Sequence, residues 1–280
     1  MILNPFSYSA PETIQEAISL LSETDFEIFT GDQAYVQSVK RGTSTPSALV
    51  SLRNVPGLKS ILFYGNQLEI GTAVTFDTML KDSAVNTVSV LTDALKAIKD
   101  PHIRNYSNVG GALYHNAPSH APVLAAFLAL DGKINVTGPL GDRKIDIETY
   151  FSNGGTGGLT KGEIIKSIVL TTNSYTSGSF QFIDYLKAGK LVCGATVLIN
   201  KNQNTITGIR IVASGCVAIP LRLFTIEEVL TGKEMIRENV ETALRDLLPE
   251  DLLVTNQFIS NPPYLLHLLK VLIKRAVLKS

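Results

Sequence analysis

Cysteine is nearly absent from this chain: Cys193 and Cys216 are the two among 280 residues. A disulfide framework, a thiolate metal site or an iron–sulfur cluster needs more thiols at closer spacing, so none of these is expected here. Both cysteines sit in apolar, strand-like runs and read as small buried hydrophobes. A surplus of charge is missing as well. Lys plus Arg and Asp plus Glu number 25 each, a net formal charge of zero. That balance gives no basic patch to recommend nucleic acid, and it offers little electrostatic protection against association, which favours a protein with a partner. No run approaches the ~20 apolar residues of a membrane-spanning helix. Residues 1–5 show neither the basic nor the apolar region of a signal peptide, and the cytoplasm is the expected compartment.

Catalytic signatures are missing too. No G-x-S-x-G turn marks a nucleophilic serine, and no G-x-G-x-x-G follows the first strand to mark a Rossmann domain. The glycine-rich run 153–158 is not a phosphate loop, because Lys161 is followed by Gly162 rather than by Ser or Thr opening a helix. It reads as a loop or lid. The histidines are His102, His115, His120 and His267, and no thiol or carboxylate joins His115 and His120 at the spacing that zinc requires. No metal ligand set and no catalytic acid, base or nucleophile is assigned.

What is present is an ordinary globular composition, 45% hydrophobic and 18% charged, in a chain long enough for one large domain or two smaller ones. Apolar spacing predicts helices over 11–21, 34–41, 75–81, 85–98 and 122–130. Strands are predicted over 26–29, 48–52, 61–64, 67–70, 133–136, 144–147 and 163–170. Gly65-Asn66 between two alternating runs is a two-residue hairpin signal. Beyond residue 172, strands at 180–186, 191–200 and 205–213 precede helices at 225–230, 233–247 and 262–278. This is an α+β order, and a domain boundary is placed near residue 173. The last helix is apolar over more than one narrow stripe, so it is expected to pack on the preceding sheet rather than lie on a membrane.

Two glycine turns stand out. In Asn108-Val109-Gly110-Gly111-Ala112 the glycine pair lets backbone N–H groups come close to a ligand. The helix from about residue 122 is expected to direct its positive end to the same spot. Thr30-Gly31-Asp32-Gln33, between a strand and a helix, is a second candidate for anion binding.

From Phe6 almost to Arg275 the order and spacing of these pieces resemble the FAD-binding medium subunit of molybdenum hydroxylases, typified by the carbon monoxide dehydrogenase medium chain and the xanthine dehydrogenase flavin subunit. The matching stretches include 29–42, Leu68-Glu69-Ile70-Gly71-Thr72-Ala73-Val74-Thr75, 103–130, Gly162-Glu163-Ile164-Ile165, 208–213 and Leu230-Thr231-Gly232. The resemblance implies an α+β protein with a PCMH-type FAD-binding domain over 1–172, built of two α/β subdomains at about 1–55 and 56–172. An α+β C-terminal domain of antiparallel sheet plus helices would follow over 173–280. It further implies FAD as cofactor, an iron–sulfur subunit and a molybdopterin-containing large subunit as partners, and transfer of their electrons to an acceptor.

In the family, two glycine segments hold the FAD diphosphate. Where the first usually reads Ala-Gly-Gly-Ser/Thr-Asp, this chain has Thr30-Gly31-Asp32-Gln33-Ala34, with a carboxylate in place of a glycine. Where the second reads Thr-Ile-Gly-Gly-Asn, it has Asn108-Val109-Gly110-Gly111-Ala112, and Ala117 and Ala121 replace further polar residues. The resemblance therefore implies FAD contacts from Thr30, Gly31, Asp32, Gln33, Ala34 and Tyr35, and from Asn108, Val109, Gly110 and Gly111. It adds His115, Ser119 and His120 as donors and Leu159 beside the isoalloxazine ring. Each lost hydrogen bond to a charged ligand costs ~1.5–3 kcal/mol, so Asp32, Ala112, Ala117 and Ala121 define an alternative: a degenerate paralogue that keeps the scaffold, binds no FAD and serves as a structural or assembly subunit.

Overall fold

A computed structural model describes residues 5–23, 25–152, 158–185, 190–252, 254–256, 259 and 261–280. The start of the glycine-rich run, 153–157, and the last residue of the strand expected at 180–186 lie outside the described residues. In chain order the elements are β1 (Ser7–Ser9), α1 (Ile14–Glu23), β2 (Glu27–Phe29), α2 (Gln33–Arg41), β3 (Ala48–Ser51), β4 (Ile61–Tyr64) and β5 (Gln67–Gly71). Then come α3 (Phe76–Lys81), α4 (Ser83–Asn86), α5 (Ser89–Ala97), α6 (Pro101–Tyr106), α7 (Val109–His115), α8 (Ala121–Ala129), β6 (Lys133–Gly138), β7 (Gly141–Asp146), α9 (Ile147–Ser152) and β8 (Ile164–Thr171). The chain finishes with β9 (Ser177–Tyr185), β10 (Lys190–Asn202), β11 (Thr205–Ser214), β12 (Leu221–Arg222), α10 (Phe224–Leu230), α11 (Arg237–Leu244) and α12 (Pro262–Lys279). These fold as two compact units that interleave along the sequence: 1–84, 101–117 and 131–170 form one, and 85–100, 118–130 and 171–280 the other.

The first unit holds two sheets. β1, β3 and β2 form a small parallel sheet in that order. Ala17 and Leu21 of α1 bury against Val50 and Leu52 beside it. The helix starts at Ile14 rather than at the expected residue 11, because the Thr13 hydroxyl accepts from the Glu16 N–H and terminates the helix at its N-terminal side. The second sheet runs β4–β5–β8–β6–β7, with the 65–66 hairpin joining its first pair in the expected register. Leu68, Ile70, Ile134, Val136, Ile165 and Ile168 from its inner strands are all buried.

The second unit is an antiparallel sheet in the order β12–β11–β10–β9, covered by helices. Side chains alternate across a strand. Cys193, Ala195, Val197 and Ile199 of β10 accordingly share the core with Leu265, Leu269, Leu272 and Ile273 of α12, so this helix packs on the sheet as its composition requires. Leu198, on the other face, meets Gly178 and lies near Val90 of α5. α8 is buried at every one of its residues, the signature of a helix inside a core. The helix expected over 85–98 is broken into α4 and α5. The Thr92 hydroxyl takes the Val85 carbonyl at 3.2 Å, and Asn86-Thr87-Val88 are weak helix formers. Among the described residues no helix is long and apolar enough to cross a membrane.

Candidate functional site

β2 delivers the chain to Thr30, Gly31 and Asp32, which open α2. Gly31 needs its glycine: its φ is +92°, a left-handed conformation, and a Cβ there would press within 2.9 Å of the Arg53 side chain. Asp32 is wholly buried and caps the helix. Its Oδ2 accepts from the Ala34 N–H at 2.9 Å and the Tyr35 N–H at 3.2 Å.

The second turn differs from its sequence expectation. The helix expected from about residue 122 is present as α8, but Gly110 and Gly111 do not lead into it; they form the first turn of another helix, α7, capped by Asn108. α7 is short and carries two glycines, so sequence pattern alone did not show it. Asn108 Oδ1 accepts from the Gly111 N–H at 2.8 Å, and Asn108 Nδ2 donates to the Thr30 carbonyl at 2.9 Å, which ties the two turns together. The Gly110 N–H donates to the Thr72 carbonyl at 2.7 Å. A Cβ on Gly110 would lie 2.3 Å from Thr72 Oγ1, and one on Gly111 2.3 Å from Asp32 Cβ. The glycines thus permit two turns to touch.

Where the turns meet, two buried hydroxyls, Thr30 Oγ1 and Thr72 Oγ1, find no hydrogen-bond partner among the described residues. Burying an unsatisfied hydroxyl costs ~1–3 kcal/mol, so such atoms point to a polar ligand. Thr72 was not singled out from sequence, although it lies in a stretch that carries the resemblance; a lone threonine has no local signal.

Beyond the turns, Tyr35 stacks on His115 with ring centroids 4.7 Å apart and donates its hydroxyl to Glu27 Oε2 at 2.7 Å. Burial, then this bond to Glu27, raises the phenol above its ordinary value. His115, Glu27, Tyr114, Leu21 and Phe26 line a cavity of about 400 Å³ that is closed on another side by 159–163, including Leu159. That segment is held by an ion pair that sequence reading missed, because its partners, one on β7 and one just before β8, are twenty residues apart. Arg143 Nε and Nη2 donate to Glu163 at 2.6 and 2.7 Å, Nη2 also donates to the Gly158 carbonyl, and the Thr160 N–H donates to Glu163 Oε2 at 2.6 Å. The Arg143 guanidinium holds the Glu163 carboxyl down at about 2. Of the other expected contacts, Gln33, Ala34, Asn108 and Val109 lie on the two turns, whereas Ser119 and His120 form a 3-10 turn at 118–120 that belongs to the second unit.

A family model described as the FAD binding domain in molybdopterin dehydrogenase matches residues 4–171, and one described as the CO dehydrogenase flavoprotein C-terminal domain matches 188–280. The chain belongs to this family of molybdopterin dehydrogenase flavoprotein subunits. Among similar family members, the nicotine 6-hydroxylase medium subunit of Paenarthrobacter nicotinovorans is 29% identical over 247 residues, covering 87% of this chain and 86% of that one. The carbon monoxide dehydrogenase medium chain of Hydrogenophaga pseudoflava is 25% identical over 248 residues, with 87% and 86% covered. The fold matches a solved carbon monoxide dehydrogenase from Hydrogenophaga pseudoflava that lacks the Mo-pyranopterin moiety, with a TM-score of 0.91 at 23% identity over 99% of this chain and 97% of that one. It also matches quinoline 2-oxidoreductase from Pseudomonas putida 86, with a TM-score of 0.90 at 23% identity over 100% and 98% of the two chains.

The residues present fit FAD in three respects: paired turns, orphaned hydroxyls at their junction, and a cavity of ligand size. Against these, Asp32 places a carboxylate on the amides that open α2.

Proposed function

We propose that this chain is the FAD-carrying subunit of a molybdenum-hydroxylase-type oxidoreductase, receiving electrons from iron–sulfur and molybdopterin subunits and delivering them to an acceptor. The partners are inferred from relatives whose names mark them as medium subunits or chains. The observation that carries the proposal is the pair of partnerless hydroxyls, Thr30 Oγ1 and Thr72 Oγ1, buried where the two turns cross. FAD, when bound, supplies the hydride or electron chemistry. The chain's own part is to bind and orient it. Thr30, Thr72, Gly31–Gln33 and Asn108–Gly111 would hold its diphosphate, and Leu159, fixed by the Arg143–Glu163 pair, would pack beside its ring. His115 is a further donor in this proposal. The division into an FAD-binding domain over 1–172 and a C-terminal domain over 173–280 is likewise proposed, supported by the two family matches. A cytoplasmic setting suits a chain whose cysteines are free thiols.

A second reading rests on Asp32. Its carboxylate already satisfies the N–H groups of Ala34 and Tyr35, and it opposes an anion by like charge. A scaffold that binds no flavin follows if this cap is permanent. Adding FAD to purified chain separates the two. A flavoprotein gains thermal stability in proportion to the logarithm of FAD concentration and quenches flavin fluorescence. No shift and no quenching at saturating FAD would leave the scaffold reading.

A further inference from the structure

Both cysteines come together in the second unit, at the end of the sheet where β10 begins. Gly194 pairs with Ser214, so Cys193 and Cys216 lie just beyond the last cross-strand pair of β10 and β11. Their sulfur atoms are 3.2 Å apart, and both residues are fully buried. A disulfide bond measures about 2.05 Å, so closure asks for roughly 1 Å of movement. Both flanks can supply it. On one side β10 has an irregular register between Leu191 and Cys193. On the other, Gly215 sits in a left-handed conformation at φ +75°, and Ala218 two residues past Cys216 is exposed. One side chain spans the place: Asn256 Nδ2 donates to the carbonyls of Val192 at 3.0 Å and Gly215 at 2.8 Å.

We propose that Cys193 and Cys216 are a dithiol–disulfide pair that, on two-electron oxidation, staples the start of β10 to the loop after β11. The oxidant is a peroxide. One thiolate attacks the peroxide oxygen, giving a sulfenic acid and releasing water; the second sulfur displaces the hydroxyl from it, forming the S–S bond and a second water. Two thiols and one hydrogen peroxide thus yield one disulfide and two waters. The shared hydrogen bond and burial raise the Cys193 thiol far above its ordinary value, and Cys216 is shut away from solvent beside it. Oxidation therefore waits on local opening of the 214–218 loop.

Full-length protein treated with hydrogen peroxide, then unfolded without reductant, tests this by thiol titration and intact mass. Expected are a fall from two titratable thiols to none, a loss of two hydrogens in mass, full reversal by dithiothreitol, and a melting temperature raised by roughly 5–10 °C. Cys193→Ala and Cys216→Ala should each keep one thiol and form no internal bridge. Two thiols surviving treatment, a gain of oxygen without loss of hydrogen, or linkage between chains would each overturn the proposal. The wild-type mass decides the matter even if a variant fails to fold.

Discussion

At Asp32 one carboxylate satisfies amides that open α2, the N–H groups of Ala34 and Tyr35. The same residue can therefore stabilise the FAD-free chain and compete with the cofactor. Asp32→Asn keeps a capping acceptor and removes only the charge. It should tighten FAD binding about tenfold, the equivalent of ~1.4 kcal/mol, with stability nearly unchanged; Asp32→Gly should tighten it further while costing the cap. Affinity that stays flat or weakens in both, measured by flavin fluorescence, would show that the diphosphate does not seat on this turn. Thr72 gives the opposite pairing of effects. Its buried hydroxyl lacks a partner, so Thr72→Val should stabilise the FAD-free protein by about 1 kcal/mol yet weaken FAD binding roughly threefold to tenfold. Paired urea melts and titrations check both signs. Gly111→Ala would drive a Cβ to within 2.3 Å of Asp32, an overpacking expected to cost about 1–3 kcal/mol. Combined with Asp32→Gly the loss should be smaller than the sum, because the two residues touch.

At the scale of elements, what positions the 158–163 segment is the grip of β7 on it through Arg143. The Glu163 carboxyl is lowered from its ordinary 4.5 to about 2 by Arg143. A depressed carboxylate stabilises the fold above the unfolded value and loses that contribution as pH falls toward the folded one. Arg143 is 41% exposed, so solvent screening limits the contribution to about 1–2 kcal/mol. The stability difference between wild type and Glu163→Gln should thus be full at pH 7 and shrink as pH drops from 4.5 toward 2. A difference that holds constant through that window would refute the assignment. In the second unit Glu227 at α10 is buried, accepts from the Ile211 N–H at 2.8 Å and pairs with Arg222. Glu227→Ala should cost about 3 kcal/mol by stranding both donors. Legibility in the sequence follows the same lines. The 61–70 hairpin, α2 with its glycine stop at residue 42, and the last helix were readable, because alternation, caps and stripes are local signals. α7 was not, since two glycines conceal a helix that Asn108 and tertiary bonds to Thr72 and Val74 hold in place. The Arg143–Glu163 pair was not either, because nothing local links a residue of β7 to one just before β8.

For the whole molecule, the compact units and the family matches divide the chain differently. Residues 85–100 and 118–130 lie within the FAD-binding match over 4–171 but pack in the unit that contains the last sheet. A fragment ending at residue 172 would lack that sheet while retaining α8, which is buried along its whole length. Such a fragment is expected to aggregate, whereas the full chain stays monodisperse in size-exclusion chromatography; a well-behaved fragment would show that α8 finds cover without the sheet. The sequence by itself determined the family, the order of elements and the two turns, because glycine placement, capping residues and apolar period are written within a few neighbouring positions. Only the tertiary structure decided what those turns hold. Whether an N–H faces a ligand, a carboxylate or a carbonyl depends on which distant residue folding brings against it, and here Asp32, Asn108 and Thr72 arrive there first.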